Sequence, residues 1–163
     1  MSQTFSQLGL SKALQKSLTD LQITVPTDIQ QKAIPVILNK TDDVVGLAQT
    51  GTGKTAAFGL PLLQLIDTDV TTIQAVVLAP TRELGQQIYN NLVSFSTNLP
   101  QVSIASVCGG IPIKPQIERL SQDTHIVVAT PGRLIDLMKR GAINIKSCKY
   151  FVLDEADEML SAL

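Results

Sequence analysis

The chain alternates between short apolar runs and longer stretches in which apolar residues recur at helical spacing. Five runs read as buried strands: Val44–Ala48, Gln74–Pro80, Val102–Val107, His125–Ala129 and Tyr150–Leu153. Strands covered on both faces are apolar almost throughout, as these are. The intervening segments carry helix patterns. Ser11 can cap a helix with Leu14, Leu18 and Leu21 inward, and Thr27 one with Ile29, Ala33 and Ile37 inward. A helix-competent run begins at Thr55. Thr81 can cap a helix with Leu84, Ile88, Leu92 and Phe95 on one face. Pro115 suits the first turn of a helix through Gln116, Ile117 and Leu120. Thr130 and Pro131 suit the start of another, with Leu134, Leu137 and Met138 inward and Gly141 at its end. Strands alternating with helices predict an α/β fold: a parallel β-sheet flanked by helices.

Composition agrees and narrows the class. Of 163 residues, 44% are hydrophobic and 17% charged, enough for one domain with a sizeable core. The net charge is −1, which is no electrostatic footprint for nucleic acid, so any such partner must be argued from local residues. Cys108 and Cys148 have neither disulfide nor metal spacing and suit a reduced, cytoplasmic compartment. His125 stands alone and reads as a surface or hydrogen-bonded position. The first residues show no signal-peptide pattern, and no apolar run is long enough to span a membrane.

The candidate chemistry centres on residues 48–55, Ala-Gln-Thr-Gly-Thr-Gly-Lys-Thr. A glycine-rich turn between a strand and a helix is built to hold phosphate. Gly51 and Gly53 can take positive φ and let the backbone approach a ligand. Successive N–H groups, including those near Thr50 and Thr52, then face one concavity at a helix N-terminus. Lys54 supplies a full charge for the β- and γ-phosphates, and Thr55 a hydroxyl for magnesium. Ala48 stands where the strict phosphate-loop pattern has glycine. Asn39-Lys40-Thr41-Asp42 matches a guanine-reading tetrapeptide, but it precedes the phosphate loop instead of following it, so it reads as a solvated turn.

Other polar residues fall at the carboxyl ends of the expected strands, where ligands of open α/β sheets collect. Arg82 and Glu83 follow the strand ending at Pro80. Gly109 and Gly110 follow Cys108, as a plain turn or as an opening for a polymer backbone. Arg133 stands in the first turn of its helix, where the dipole disfavours a cation and an anionic partner would offset it. Asp154-Glu155-Ala156-Asp157 follows the last strand directly. With a phosphate loop in the same chain, these acids suggest the magnesium side of a nucleotide site: Asp154 holding magnesium through water, Glu155 orienting or deprotonating the attacking water.

Together these residues resemble the DEAD-box ATP-dependent RNA helicases, whose name spells residues 154–157. The resemblance runs from Phe5 to Leu160. It implies a RecA-like P-loop NTPase domain, the first of two in that family, spanning 1–163, with an adenine-reading segment over 1–40 and a phosphate-loop core over 41–163. It implies ATP and Mg2+ as ligands. Pro26-Thr27-Asp28-Ile29-Gln30 matches the adenine-reading motif, so Gln30 is expected to hydrogen-bond the adenine edge, with Thr27 and Ile23 beside it. Where the family has a glycine and an aromatic, this chain has Gln22 and Ile23. Ile23 packs on adenine without the stacking contribution of a ring. Phe5 is similar to the upstream aromatic of that segment. The phosphate loop matches the family form, Ala48 included.

Pro80-Thr81-Arg82-Glu83-Leu84, Gly109-Gly110 and Thr130-Pro131-Gly132-Arg133 are similar to the family's three RNA-backbone motifs, although alanine is more usual where Gly85 stands. They imply sequence-independent contact with single-stranded or short duplex RNA. The family's Ser-Ala-Thr motif is absent. Ser161-Ala162 echoes it but comes too early and reads as a helix tail. In the family, the strand carrying that motif lies between the phosphate-loop strand and the strand ending at Asp154. Without it, residues 44–48 and 150–153 are expected to present unpaired edges, making the chain a fragment or marginal and prone to associate. The second RecA-like domain, which supplies arginines to the γ-phosphate, is also absent. The expected activity is RNA-dependent ATP hydrolysis with local duplex opening in the longer protein, and slow turnover by this chain alone. A non-catalytic nucleotide- or RNA-binding module is the competing reading. A GTPase or small-molecule kinase would leave Arg82, Gly109-Gly110 and Arg133 idle.

Overall fold

The computed structural model describes residues 3–40 and 42–161. Thr41 of the expected turn and Ala162 of the expected helix tail lie outside the described residues. Two compact units share the chain: residues 1–65 with 91–100, and residues 66–90 with 101–163.

The first unit is helical. Helix α1 (Lys12–Asp20) starts at Ser11, whose hydroxyl accepts from Leu14 N at 3.4 Å. Leu14 and Leu18 are fully buried, but Leu21 caps the helix end and is exposed, because the helix stops one residue short of it. Helix α2 (Asp28–Asn39) buries Gln30, Ala33 and Ile34, whereas Ile29 and Ile37 are half-buried. Its inward face is therefore rotated from the one expected. Helix α3 (Lys54–Leu65) packs on α2 and is apolar nearly all round, burying Ala56, Ala57, Gly59, Leu60, Leu62 and Leu63. Its Gly59 is required by packing, since a Cβ there would lie 2.7 Å from Leu92 Cδ2. Phe5 is a core residue at 6% exposure.

Residues 44–48 are not a strand. Val45 is 88% exposed and Leu47 92%. A parallel strand exists through the ladders beside it, and no described strand pairs with this segment, so its apolar sequence alone does not make it a strand.

The second unit is a four-stranded parallel sheet: β1 (Ala75–Leu78), β2 (Ile104–Val107), β3 (Ile126–Ala129) and β4 (Tyr150–Leu153), in the order β2-β3-β1-β4. Val76 pairs with Val127 and Phe151, and Val77 with Val128 and Val152, so successive residues serve opposite faces. Helix α4 (Arg82–Phe95) brings Gly85 over the face carrying Val128. Helix α6 (Pro131–Lys139) packs Leu134 and Leu137 against Val76, Val127, Val107 and Ile143 on the other. Met138, expected inward, is exposed, because Leu134 and Leu137 alone fill the stripe against the sheet. Helix α5 (Lys114–Leu120) lies beside β2, and α7 (Ala156–Ser161) follows β4. Gly141 ends α6 with φ +66°, the left-handed turn its lack of a side chain permits. His125 is buried with Nδ1 accepting from Ser103 N at 2.9 Å. The four observed strands, two helix-covered faces and parallel order match the expected RecA-like sheet, with the strand at 44–48 as the correction.

Candidate functional site

In the helical unit the phosphate loop is held from behind by Gln30. Gln30 sits in the first turn of α2, where its Oε1 accepts from Thr27 N at 3.0 Å and its Nε2 donates to Gly53 O at 3.1 Å. Gly53 O also accepts from Ala57 N at 3.1 Å, tying the loop to the first turn of α3. Gly51 and Gly53 have φ of +79° and +85°. A Cβ on Gly53 would collide with the Gln30 amide, whereas one on Gly51 would meet nothing within 4 Å. The loop is thus closed on the Gln30 side and open at Gly51. Thr50 is exposed, and Thr52 Oγ1 donates to Gln49 O at 2.6 Å. Lys54 and Thr55 open α3, where the positive end of the helix dipole favours an anion. The donor set fits a polyphosphate. Gln30 is 4% exposed, yet its amide retains one N–H and one lone pair, the pattern an adenine edge accepts. Ile23 is half-buried and Thr27 exposed.

In the sheet unit the three candidate backbone-binding segments meet at the carboxyl ends of β1, β2 and β3. An open concavity there is lined by Pro80, Arg82, Glu83, Gly109, Gly110 and Thr130. Thr81 caps α4, its hydroxyl accepting from Leu84 N at 3.2 Å. Arg82 Nη1 donates to Gly110 O at 3.3 Å and keeps a loose ion pair with Glu83 at 3.8 Å. Both side chains are well exposed, so that pair contributes little and leaves Arg82 able to meet an anion. Thr130 stands at the start of α6, but its hydroxyl does not cap that helix. It accepts from Gly109 N at 2.9 Å, across to the neighbouring loop. Pro131 fills the first helical position and Gly132 is exposed. Arg133 donates to Gln116 Oε1 at 2.5 Å and to Ile111 O at 2.9 Å. Among the described residues it forms no ion pair, so both of its partners are neutral and its charge stays available.

At the end of β4, Asp154 N continues the ladder to Leu78 O at 3.0 Å, and Asp154 is buried at 8% exposure. Glu155 follows at φ +51°, and its N–H donates to Asp154 Oδ1 at 3.1 Å. A left-handed non-glycine residue directly after a strand is a strained position.

The chain matches the DEAD/DEAH box helicase family over residues 27–162. It belongs to that family. It is similar to the ATP-dependent RNA helicase DeaD of Escherichia coli K12, with 46% identity over 96% of this chain and 25% of that protein. It is similar also to the DEAD-box ATP-dependent RNA helicase CshA of Streptococcus pneumoniae, with 48% identity over 96% of this chain and 30% of that protein. The crystal structure of a DEAD box protein from the hyperthermophile Methanococcus jannaschii superposes with a TM-score of 0.92 at 42% identity, covering 99% of this chain and 44% of that one. The chain therefore spans between a quarter and a half of these helicases. The matched range includes the phosphate loop at 48–55 and the acidic residues 154–157. Sequence reading missed Gln116, whose only signal was a glutamine on the apolar stripe of Ile113, Ile117 and Leu120.

Proposed function

We propose that this chain is the ATP-binding first domain of a DEAD-box RNA helicase, in which RNA-dependent ATP hydrolysis drives local opening of short duplexes. The observation that carries the reading is the set of three loops joined at one sheet edge, Arg82 to Gly110, Gly109 to Thr130 and Arg133 to Ile111, beside an open concavity. Backbone N–H groups, two arginines and a glycine pair make a surface for phosphate and sugar with no reader of base edges, which fits sequence-independent RNA binding.

The nucleotide is held by the phosphate loop. N–H groups around Thr50, Gly51, Thr52 and Gly53 and the ammonium of Lys54 bind the phosphates, while the free N–H and lone pair of Gln30 read adenine beside Ile23 and Thr27. Thr55 and Asp154 would hold magnesium, which when bound neutralises phosphate charge. Glu155 orients the attacking water and takes its proton. The second RecA-like domain is the partner that completes catalysis, so this chain alone turns over slowly. An arginine supplied from a partner contributes about a thousandfold or more to such reactions. RNA chemistry and two free thiols suit the cytoplasm.

Calorimetric titration with ADP–Mg and GDP–Mg tests the nucleotide reading. ADP is expected to bind and GDP not. Gln30→Glu should erase the preference and weaken ADP about tenfold, because a carboxylate cannot donate to Gly53 O or to adenine. Equal binding of both nucleotides would defeat the adenine assignment.

A further inference from the structure

Gln116 is a glutamine at 5% exposure with both ends of its amide in use. Its Nε2 donates to Cys108 O at 2.9 Å, the carbonyl directly before the Gly109-Gly110 pair. Its Oε1 accepts from Arg133 Nη1 at 2.5 Å. One side chain therefore spans from the loop after β2 to the first turn of α6. An amide is suited to this and few side chains are. It must donate at one end to a carbonyl and accept at the other from a guanidinium, without carrying charge. A carboxylate would neutralise Arg133 and repel Cys108 O, and an apolar residue would strand both partners. The helix dipole works against a cation at the start of α6, so Arg133 stays there because neutral oxygens hold it.

We infer that Gln116 is a positioning residue that locks the Gly109-Gly110 loop to Arg133 and presents both, with the arginine's charge intact, to an RNA backbone. The inference rests on the proposed RNA reading. It gives a role to a residue outside all three backbone-binding segments. It also accounts for a buried polar group that the core does not need. Gln116 touches no RNA itself.

The test uses the whole 163-residue chain, isotope-labelled for NMR, with a short fluorescein-labelled oligouridylate followed by anisotropy over a range of salt. The variants are Gln116→Met, Gln116→Glu and, as an independent probe of the surface, Arg82→Ala. Gln116→Met should shift the amide resonances of Gly109 and Gly110 and weaken RNA binding about tenfold. Gln116→Glu retains a partner for Arg133 but cancels its charge. It should lower the slope of log affinity against log salt by about 0.7, one phosphate contact on a single strand. A merely structural glutamine would not move that slope. Unmoved Gly109 and Gly110 resonances, or unchanged affinity and slope in both Gln116 variants while Arg82→Ala weakens binding, overturns the inference and leaves the RNA reading standing. Absent RNA binding, or binding indifferent to Arg82→Ala as well, overturns the RNA reading and the inference with it.

Discussion

A Cβ placed on Gly85 would lie 2.7 Å from Cys108 Sγ, closer than such atoms approach. Gly85 is in the first turns of α4, and Cys108 directly follows β2 at the edge where the backbone-binding loops gather. Here the thiol occupies the space that alanine's methyl would need, so the two positions are coupled by volume. Gly85→Ala is expected to destabilise the chain by about 1–3 kcal/mol despite alanine's better helix propensity, because neither sheet nor helix can yield easily. Adding Cys108→Ala should recover most of that loss. Urea denaturation of the two single variants and the double closes the cycle, and additive effects would show that the contact is not what limits the position.

Glu155 presents a different trade-off. Its φ of +51° is a conformation that glycine adopts freely and other residues adopt at a cost of about 1–2 kcal/mol. Glu155→Gly and Glu155→Ala both delete the carboxylate, so comparing them isolates the backbone. The glycine variant should be the more stable by about 1 kcal/mol. Both should lack ATPase activity in the longer protein, as should Glu155→Gln. Thermal unfolding of the pair and phosphate release by the longer protein read the two effects separately. A more stable alanine variant would remove strain from the account.

Much of this was legible in the chain because the signals are local. The runs at 74–80, 102–107, 125–129 and 150–153 became β1 to β4, since continuous apolar sequence bounded by glycine, proline or acid leaves few alternatives. Thr81 capped its helix as its sequence position implied. What failed depended on distant partners. Val44–Ala48 has the composition of a strand, but a ladder is supplied by neighbours and none of the described strands provides it. Thr130 has the sequence of a cap, yet its hydroxyl finds Gly109 N across a loop. Gln30 and Gln116 are polar residues whose burial follows from carbonyls outside their own helices, Gly53 O and Cys108 O. No periodicity encodes that.

Cys148 provides a pH test of the same sheet unit. Burial pushes its thiol above the ordinary cysteine value, against smaller opposing effects of the Tyr150 and Val76 backbones. A raised pKa in the folded state keeps the thiol protonated. Any stability linked to it is present below the unfolded thiol pKa and is lost as pH rises through the folded one. Alkylation by iodoacetamide near pH 8 should therefore be slower at Cys148 in the folded chain than in urea, since the thiolate is the reactive form. Equal rates, read by mass spectrometry of the modified peptide, would contradict burial at that site.

Strand β4 is open on one side. One edge of this strand pairs with β1, and the other pairs with no described strand. Its side chains add to the exposure, with Phe151 at 52% and Leu153 at 55%. Tyr150 and Val152, by contrast, are half-buried. A row of free backbone donors and acceptors next to exposed apolar side chains is a template for another strand. The 163-residue chain should therefore associate as its concentration rises. Phe151→Lys should shift it towards monomer without disturbing the β1–β4 register, because that register is set by backbone pairing on the opposite edge. Sedimentation velocity across a concentration series measures both. A wild-type chain that stays monomeric throughout, with one cooperative unfolding transition, would mean that the open edge of β4 is covered by something other than a second strand.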